Sequence, residues 1–178
     1  MHTSWEFVKN PNTEYYRTMR IINDLICQLN YLSDKIHREP NATHILNNIW
    51  LGNMEAACDF NFVTKNKIMD IMNVTPDGFD NFGFITYHRY PIKDENINKN
   101  LAHRALDTGA AIIHKCVREN RPILIHCKRG HHRSATIIMY YLMKYLSFDL
   151  SQAIIFIKRK RPKSFRRVTH FLQFLVQK

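Results

Sequence analysis

The sequence lacks a long apolar run. No stretch of its 178 residues approaches the roughly 20 consecutive apolar residues that a membrane-spanning helix requires, so we expect no transmembrane segment. Residues 1–7 also lack the basic-then-apolar pattern of a secretion signal. Cysteine is scarce, and its four residues show neither disulfide-like pairing nor metal-ligand spacing: Cys27, Cys58, Cys116 and Cys127. These absences predict reduced thiols, no metal or other cofactor, and an intracellular location in the cytoplasm or nucleus.

Acidic residues are outnumbered by basic ones, 15 to 26, which leaves a formal net charge of +11. This excess predicts attraction to phosphorylated, acidic or nucleic-acid partners, although charge alone does not choose among them. Seven cations form a basic segment within residues 158–167: Lys158, Arg159, Lys160, Arg161, Lys163, Arg166 and Arg167. Three interpretations of the basic segment stay open, namely a solvated helix end, a nuclear-import signal, or a surface that attracts polyanions.

The spacing of apolar residues predicts strands that alternate with helices. The expected strands span 43–46, 49–51, 68–74, 84–92 and 123–126. The expected helices span 14–36, 54–59, 101–119, 133–146, 149–161 and 168–176. This alternation predicts a single α/β domain over residues 41–178, with a central, mostly parallel sheet flanked by helices. Residues 1–40 form an N-terminal extension, whose helix either packs on that domain or uses its apolar face to form a homodimer.

The stretch from Ile123 to Ser134 joins a strand to a helix through a loop with one glycine, Gly130. Such a loop turns successive backbone N–H groups toward one point, and the helix that follows directs its positive end there. A thiol on the rim, Cys127, becomes a thiolate more easily in that field. Arg133 supplies a planar fork that matches two phosphate oxygens. The stretch therefore predicts a phosphate site with a built-in nucleophile.

The nine residues from His126 to Ser134 read HCKRGHHRS and match the pattern HCxxGxxR[ST]. On this motif the chain resembles the dual-specificity type of the cysteine-dependent protein tyrosine phosphatase superfamily. Residues 49–53 are similar to the segment that opens these domains, and residues 73–75 to one of their core strands. The resemblance covers about residues 43–176, and it implies a single-domain protein tyrosine phosphatase-like fold with residues 41–178 as the catalytic domain.

The resemblance also implies roles for individual residues. Cys127 attacks phosphorus to form a phosphocysteine, while Arg133 and the loop amides hold the phosphate oxygens. Ser134 donates a hydrogen bond to the sulfur, and His126 orients the loop and tunes the pKa of Cys127. The phosphate-binding set consists of loop residues: Lys128, Arg129, Gly130, His131, His132 and Arg133. No metal takes part.

The general acid of the family is an aspartate about thirty residues before the cysteine. The stretch from Tyr90 to Asn96 occupies that place here and resembles the family's acid segment. Asp94 is therefore expected to protonate the leaving oxygen and then to act as base toward the hydrolytic water. Glu95 is the alternative acid.

The loop departs from the family's usual small or neutral residues at four basic positions: Lys128, Arg129, His131 and His132. Ser134-Ala135 also differs from the Thr-Gly of RNA 5′-phosphatases, and the Pro-Asn that usually precedes the last helix is missing. We expect a dual-specificity protein phosphatase acting on phosphoproteins. An RNA 5′-triphosphatase or phosphoinositide phosphatase with the same chemistry is the alternative, and a non-catalytic phosphate or nucleic-acid binding module is the alternative of another class. The abundance of Asn, Ile and Lys resembles phosphatases of large DNA viruses, which would place the chain in a host cell or virion.

Overall fold

The computed structural model describes residues 14–30, 38–78, 82–93, 98–167 and 170–176. Its strands are β1 (Ala42–Leu46), β2 (Ile49–Gly52), β3 (Asp70–Asn73), β4 (Thr86–Arg89) and β5 (Ile123–His126). They form one sheet in the order β1-β2-β5-β3-β4. β1 and β2 pair antiparallel as the expected hairpin, and the other neighbours pair parallel. The predicted mostly parallel sheet is therefore confirmed.

The helices within the described residues are α1 (Glu14–Leu29), α2 (Met54–Cys58), α3 (Phe60–Lys65), α4 (Lys99–Arg118), α5 (Arg133–Leu146), α6 (Leu150–Lys160) and α7 (His170–Val176). The bounds of α5 agree with the expectation. α3 was not predicted: Asp59 accepts a hydrogen bond from the N–H of Phe62, and this cap starts a new helix directly after α2. Most of the segment 30–36, where the first helix was expected to continue, lies outside the described residues.

Alternation along the central strands divides the core between the two faces of the sheet. Ile123 and Ile125 of β5 are buried in a large cluster together with residues of α1, α4, α5, α6 and α7. Leu124, between them, is buried in a smaller cluster with residues of α2 and α3. Every residue of β3 and β5 is buried, as expected for parallel strands covered on both faces. No described helix is long and apolar enough to cross a membrane.

The N-terminal helix α1 packs on the domain. Met19, Ile22 and Ile26 follow helical spacing and are buried in the large cluster. Ile21 points away from this face and is 61% exposed. The side of α1 that carries these three residues is thus packed within the chain itself.

Candidate active site

The loop predicted to bind phosphate, residues 127–133, connects the carboxyl end of β5 to the first turn of α5. We call it the phosphate-binding loop. It opens into a cavity of about 710 Å³. The side chain of the N-cap residue, His132, makes no capping hydrogen bond, so the positive end of α5 faces the loop.

Four consecutive carbonyls of the phosphate-binding loop are held by residues outside it. The Lys128 carbonyl accepts from the Met54 N–H (3.4 Å) and the His131 carbonyl from the Phe165 N–H (3.0 Å). The carbonyls of Gly130 and Arg129 accept from Nε and Nη2 of Arg161, at 2.9 and 3.5 Å. The C=O and the N–H of one peptide group point in opposite directions. Because these four carbonyls are held on the outside of the loop, the N–H groups of the same peptide groups face its interior.

Gly130 is required at its position for two reasons. Its φ is +69°, a conformation that side chains with a Cβ rarely adopt. A Cβ at this position would also collide with the backbone carbonyl of Gly52 at the end of β2. The single glycine of the loop therefore sets both its turn and its close packing on the sheet.

Cys127 lies in the loop with its side chain almost fully buried (3% exposed). The Ser134 hydroxyl donates to its Sγ over 3.3 Å. Burial by itself raises the pKa of the thiol, but hydrogen bonds from the Ser134 side chain and backbone, the charge of Arg133 and the His131 N–H outweigh it. The pKa of Cys127 is consequently below its ordinary value, which favours the nucleophilic thiolate.

Arg133 lies at the start of α5 and is buried beside the thiol. Its Nη1 donates to the carbonyl of Ile92 over 2.7 Å, which fixes the guanidinium between the loop and the chain that follows β4. The acid candidates Asp94 and Glu95 lie outside the described residues. The last described residues before them, ending at Lys93, thus lie next to Arg133.

His126 precedes the nucleophile and is 3% exposed. Burial lowers its pKa to about 4, with Arg89 contributing, while a hydrogen bond with the Cys127 backbone opposes the shift. The ring is therefore neutral at neutral pH and contacts the backbone of Cys127. A neutral, buried ring suits an orienting role, and at that pH His126 itself is not a cationic partner for the thiolate.

Two basic residues that the sequence placed in the charged segment prove to be buried. Arg161 is 1% exposed and holds the loop carbonyls described above. Lys158 is 0% exposed, and its Nζ donates to the carbonyls of Pro162 and Ser164 and to the Asn30 side chain. The expectation of one solvated or polyanion-binding segment is wrong for these two residues, because buried acceptors surround them. Residues 162–167, which we call the basic loop, contribute Lys163, Arg166 and Arg167 to the wall of the cavity.

The basic residues of the phosphate-binding loop differ in their surroundings. Lys128 and Arg129 are exposed and line the cavity together with His131 and His132. The His131 ring also contacts the carboxylate of Glu39, Nε2 to Oε2 at 2.9 Å. Sequence reasoning missed Glu39, since no motif connects two residues 92 positions apart. Among the described residues, no three His, Cys, Asp or Glu side chains converge as a metal-binding group.

Comparison with known proteins gives a consistent result. A family model for the dual specificity phosphatase catalytic domain matches residues 49–178. Dual specificity protein phosphatase 16 of Homo sapiens is 33% identical over 125 residues, which cover 67% of this chain and 18% of that protein. Protein phosphatase Slingshot homolog 1 of Mus musculus is 32% identical over 119 residues, covering 66% of this chain and 11% of that protein. The similarity thus spans under a fifth of the length of these relatives.

The fold is also similar to solved phosphatase structures. The crystal structure of DUSP15 superposes with a TM-score of 0.70 at 26% identity, covering 78% of this chain and 87% of that chain. The crystal structure of human DUSP28 gives a TM-score of 0.69 at 21% identity, covering 79% and 93%. These likenesses agree with the single-domain fold expected from the loop motif.

Proposed function

The chain belongs to the dual specificity phosphatase catalytic domain family, and we propose that it hydrolyses phosphotyrosine and phosphoserine or phosphothreonine in proteins. One observation carries the proposal: Cys127 Sγ accepts the Ser134 hydroxyl at 3.3 Å inside a loop whose carbonyls are held outward. A module that only bound phosphate would have no need of an activated thiol at that point.

In the first step, the Cys127 thiolate attacks phosphorus and the bond from phosphorus to the ester oxygen breaks. The loop amides and the Arg133 guanidinium bind the equatorial oxygens, where charge is concentrated in the transition state. Asp94 is proposed to donate its proton to the departing oxygen. The products are the free hydroxyl of the substrate and a phosphocysteine.

In the second step, water attacks phosphorus and the bond from sulfur to phosphorus breaks. Asp94, now a carboxylate, accepts a proton from the water, and inorganic phosphate leaves. The Ser134 hydroxyl already donates to the sulfur, so it stabilises the thiolate as that group departs. The pKa of Cys127, which is below its ordinary value, makes it a better leaving group as well.

The Cys127→Ser variant tests this proposal, with Cys116→Ser as its matched control. Both cysteines are 3% exposed, but Cys116 belongs to α4 and packs in the core. We expect Cys127→Ser to abolish hydrolysis of p-nitrophenyl phosphate and of phosphopeptides while keeping the fold, and Cys116→Ser to remain active. Cys127→Ser activity within tenfold of the wild type would refute the assignment.

The cationic wall supports a finer proposal about the substrate. Lys128 and Arg129 on one side and Lys163, Arg166 and Arg167 on the other line the same cavity. We propose that this wall favours a phosphoprotein segment with further acidic groups near the scissile phosphate. Assays with acidic phosphopeptides, 5′-triphosphate RNA and phosphoinositides side by side decide the class, and preferential turnover of the RNA or the lipid would replace the protein substrate.

Self-association through α1 is a separate proposal, and so is an intracellular location. Ile21 is the large apolar side chain that the described part of α1 leaves exposed. If the chain dimerises there, light scattering should show a dimer at high micromolar concentration that Ile21→Ser abolishes. A wild-type monomer at that concentration would remove the proposal.

A further inference from the structure

Glu39 lies between α1 and β1, ten residues before the region that matches the family. Its side chain is 6% exposed, and each of its carboxylate oxygens has a partner. Oε2 lies 2.9 Å from Nε2 of His131 and 3.2 Å from Nη2 of Arg161. Oε1 accepts the backbone N–H of Lys163 over 3.0 Å. One buried carboxylate thus contacts both the phosphate-binding loop and the basic loop.

Arg161 extends these contacts to a third segment. Besides the carbonyls of the phosphate-binding loop, its guanidinium binds the Pro40 carbonyl at 2.8 Å and the Thr43 hydroxyl at 2.9 Å. We call Glu39, His131 and Arg161 the Glu39 cluster. Through it, the entry to β1, the phosphate-binding loop and the basic loop are joined by one hydrogen-bonded network.

We propose that Glu39 is a positioning residue, which holds the phosphate-binding loop in a fixed position relative to the basic loop. The inference rests on the proposed function, because it concerns the geometry in which Cys127 reacts. Its physical basis is the path from the carboxylate through His131 to the thiol. Glu39 fixes the ring of His131, and the backbone N–H of that same residue is among the groups that lower the pKa of Cys127.

The charge of Glu39 matters as well as its shape. Burial raises the pKa of this carboxyl, but the His131 hydrogen bond, the charge of Arg161 and the Lys163 N–H outweigh it, so the pKa is below its ordinary value. Arg161 depends on Glu39 in turn: burial lowers the pKa of its guanidinium, and the negative charge of Glu39 opposes this shift. Without the carboxylate, a buried guanidinium loses its counter-charge, and the carbonyls that it holds become free to shift.

The test compares Glu39→Gln with Asp70→Asn. Asp70 is a matched control: it is buried, and its carboxylate contacts a histidine, His88, at 2.9 Å and an arginine, Arg121, at 2.8 Å. It lies at the start of β3, however, at the end of the sheet opposite the phosphate-binding loop. Both substitutions remove one charge from a His–carboxylate–Arg cluster, so both should lower the melting temperature.

Only Glu39→Gln should alter the chemistry of the folded enzyme. We expect it to lower kcat for p-nitrophenyl phosphate at least tenfold, whereas Asp70→Asn stays within twofold of the wild type. A displacement of about 1 Å in a reacting geometry is enough for a loss of up to about 100-fold. Unchanged kcat in Glu39→Gln, or an equal loss in Asp70→Asn, would overturn the proposal.

Two further measurements keep the test decisive. If Glu39→Gln does not fold, Glu39→Asp keeps the charge but is too short to reach His131 and the Lys163 N–H together, so it should lose part of kcat. Wild-type kcat in that variant overturns the proposal.

The second measurement is the rate at which iodoacetamide alkylates Cys127, which does not depend on turnover. Mass spectrometry follows it, with the exposed Cys58 as internal reference. We expect alkylation of Cys127 to slow several-fold in Glu39→Gln, and an unchanged rate would overturn the proposal. A wild type that reacts with iodoacetamide but hydrolyses nothing would refute the proposed function separately.

Discussion

The Glu39 cluster and the corresponding group of Asp70, His88 and Arg121 are built from the same chemistry at opposite ends of the sheet. In each, a buried carboxylate contacts a histidine and an arginine at 2.8–3.2 Å, and its pKa is below the ordinary value. The Asp70 cluster joins β3 to β4 and to the segment between α4 and β5, none of which lines the cavity. The Glu39 cluster joins two loops that line the cavity. The comparison predicts that the attachment points of an ion-pair cluster, rather than its composition, decide whether its loss affects catalysis.

The two arginines offer the sharpest way to separate the clusters. Arg161→Met leaves Glu39 buried without its cation and releases two carbonyls of the phosphate-binding loop, so we expect a loss of about 3–5 kcal/mol in stability. Arg121 is 30% exposed, so water can replace part of what Asp70 loses, and Arg121→Met should cost about 1–2 kcal/mol. Urea unfolding followed by circular dichroism measures both. Equal losses would mean that burial does not distinguish the two clusters.

Acid titration separates His126 from the two carboxylates. The folded pKa of His126, about 4, is below its ordinary 6.5. The unfolded chain therefore binds the proton first, and the stability from a neutral His126 is full above pH 6.5 and falls as pH drops toward 4. The loss is about 3 kcal/mol. His126→Gln should make the free energy of unfolding less dependent on pH between about 6.5 and 4. An unchanged dependence would contradict a buried, neutral His126 ring.

The carboxylates act in a more acidic window by the same sign. Their folded pKa values are lowered, so each contributes stability above its ordinary pKa, 4.5 for Glu39 and 3.8 for Asp70, and loses it as pH falls further. Glu39→Gln and Asp70→Asn should each flatten this lower part of the curve. Neither should change the slope between pH 5 and about 6.5, where His126 titrates in the unfolded chain.

At the catalytic end, Ser134→Ala should raise the pKa of Cys127, because it removes a hydrogen bond that favours the thiolate. We expect kcat to fall by about 10- to 150-fold, since one hydrogen bond to a charged group is worth about 1.5–3 kcal/mol. The rate of Cys127 alkylation should also shift to higher pH. Thr136→Ala, two residues further along the same helix, serves as control because its hydroxyl donates to the His132 carbonyl rather than to the sulfur. A pH profile that does not move would refute the role of Ser134.

The smallest effect is expected from the exposed cations. Replacing Arg166 and Arg167 together by alanine should lower kcat/KM several-fold for acidic phosphopeptides and little for p-nitrophenyl phosphate, because the wall acts on association. The effect should shrink from 50 to about 300 mM salt, as the Debye length falls below about 10 Å. Arg159→Ala with Lys160→Ala is the control, since both are exposed but lie outside the lining of the cavity. Equal effects of the two pairs of substitutions would mean that the basic loop is an ordinary solvated surface with no role in substrate association.

The sequence predicted the phosphate-binding loop and its flanks because their signals are local. β5 and α5 have the expected bounds, and the capping box of Asp149 and Gln152 is formed as expected. The edges of the sheet were less predictable: apolar residues continue past the end of pairing, so a strand expected over 84–92 is paired only over Thr86–Arg89.

The rest of the site depends on contacts between distant residues. Because Arg161 and Lys158 stand in a run of basic residues, the sequence predicts that they are exposed. Only the folded structure shows that their side chains donate to buried carbonyls. Glu39 meets His131 across 92 positions and Asp70 meets Arg121 across 51, so neither cluster leaves a periodic or motif-like trace. The residues predicted to do the chemistry carry a local sequence motif, whereas the residues that hold the loop in place carry none.

The most direct test of the account is to trap the covalent intermediate. The wild-type protein, mixed with a phosphotyrosine peptide and quenched in acid within milliseconds, is digested and analysed by mass spectrometry. The account predicts that the peptide containing Cys127 gains the mass of one phosphoryl group, and that Asp70→Asn gains it equally. Steady turnover with no phosphoryl group on Cys127 under these conditions, or with one on another residue, would contradict it.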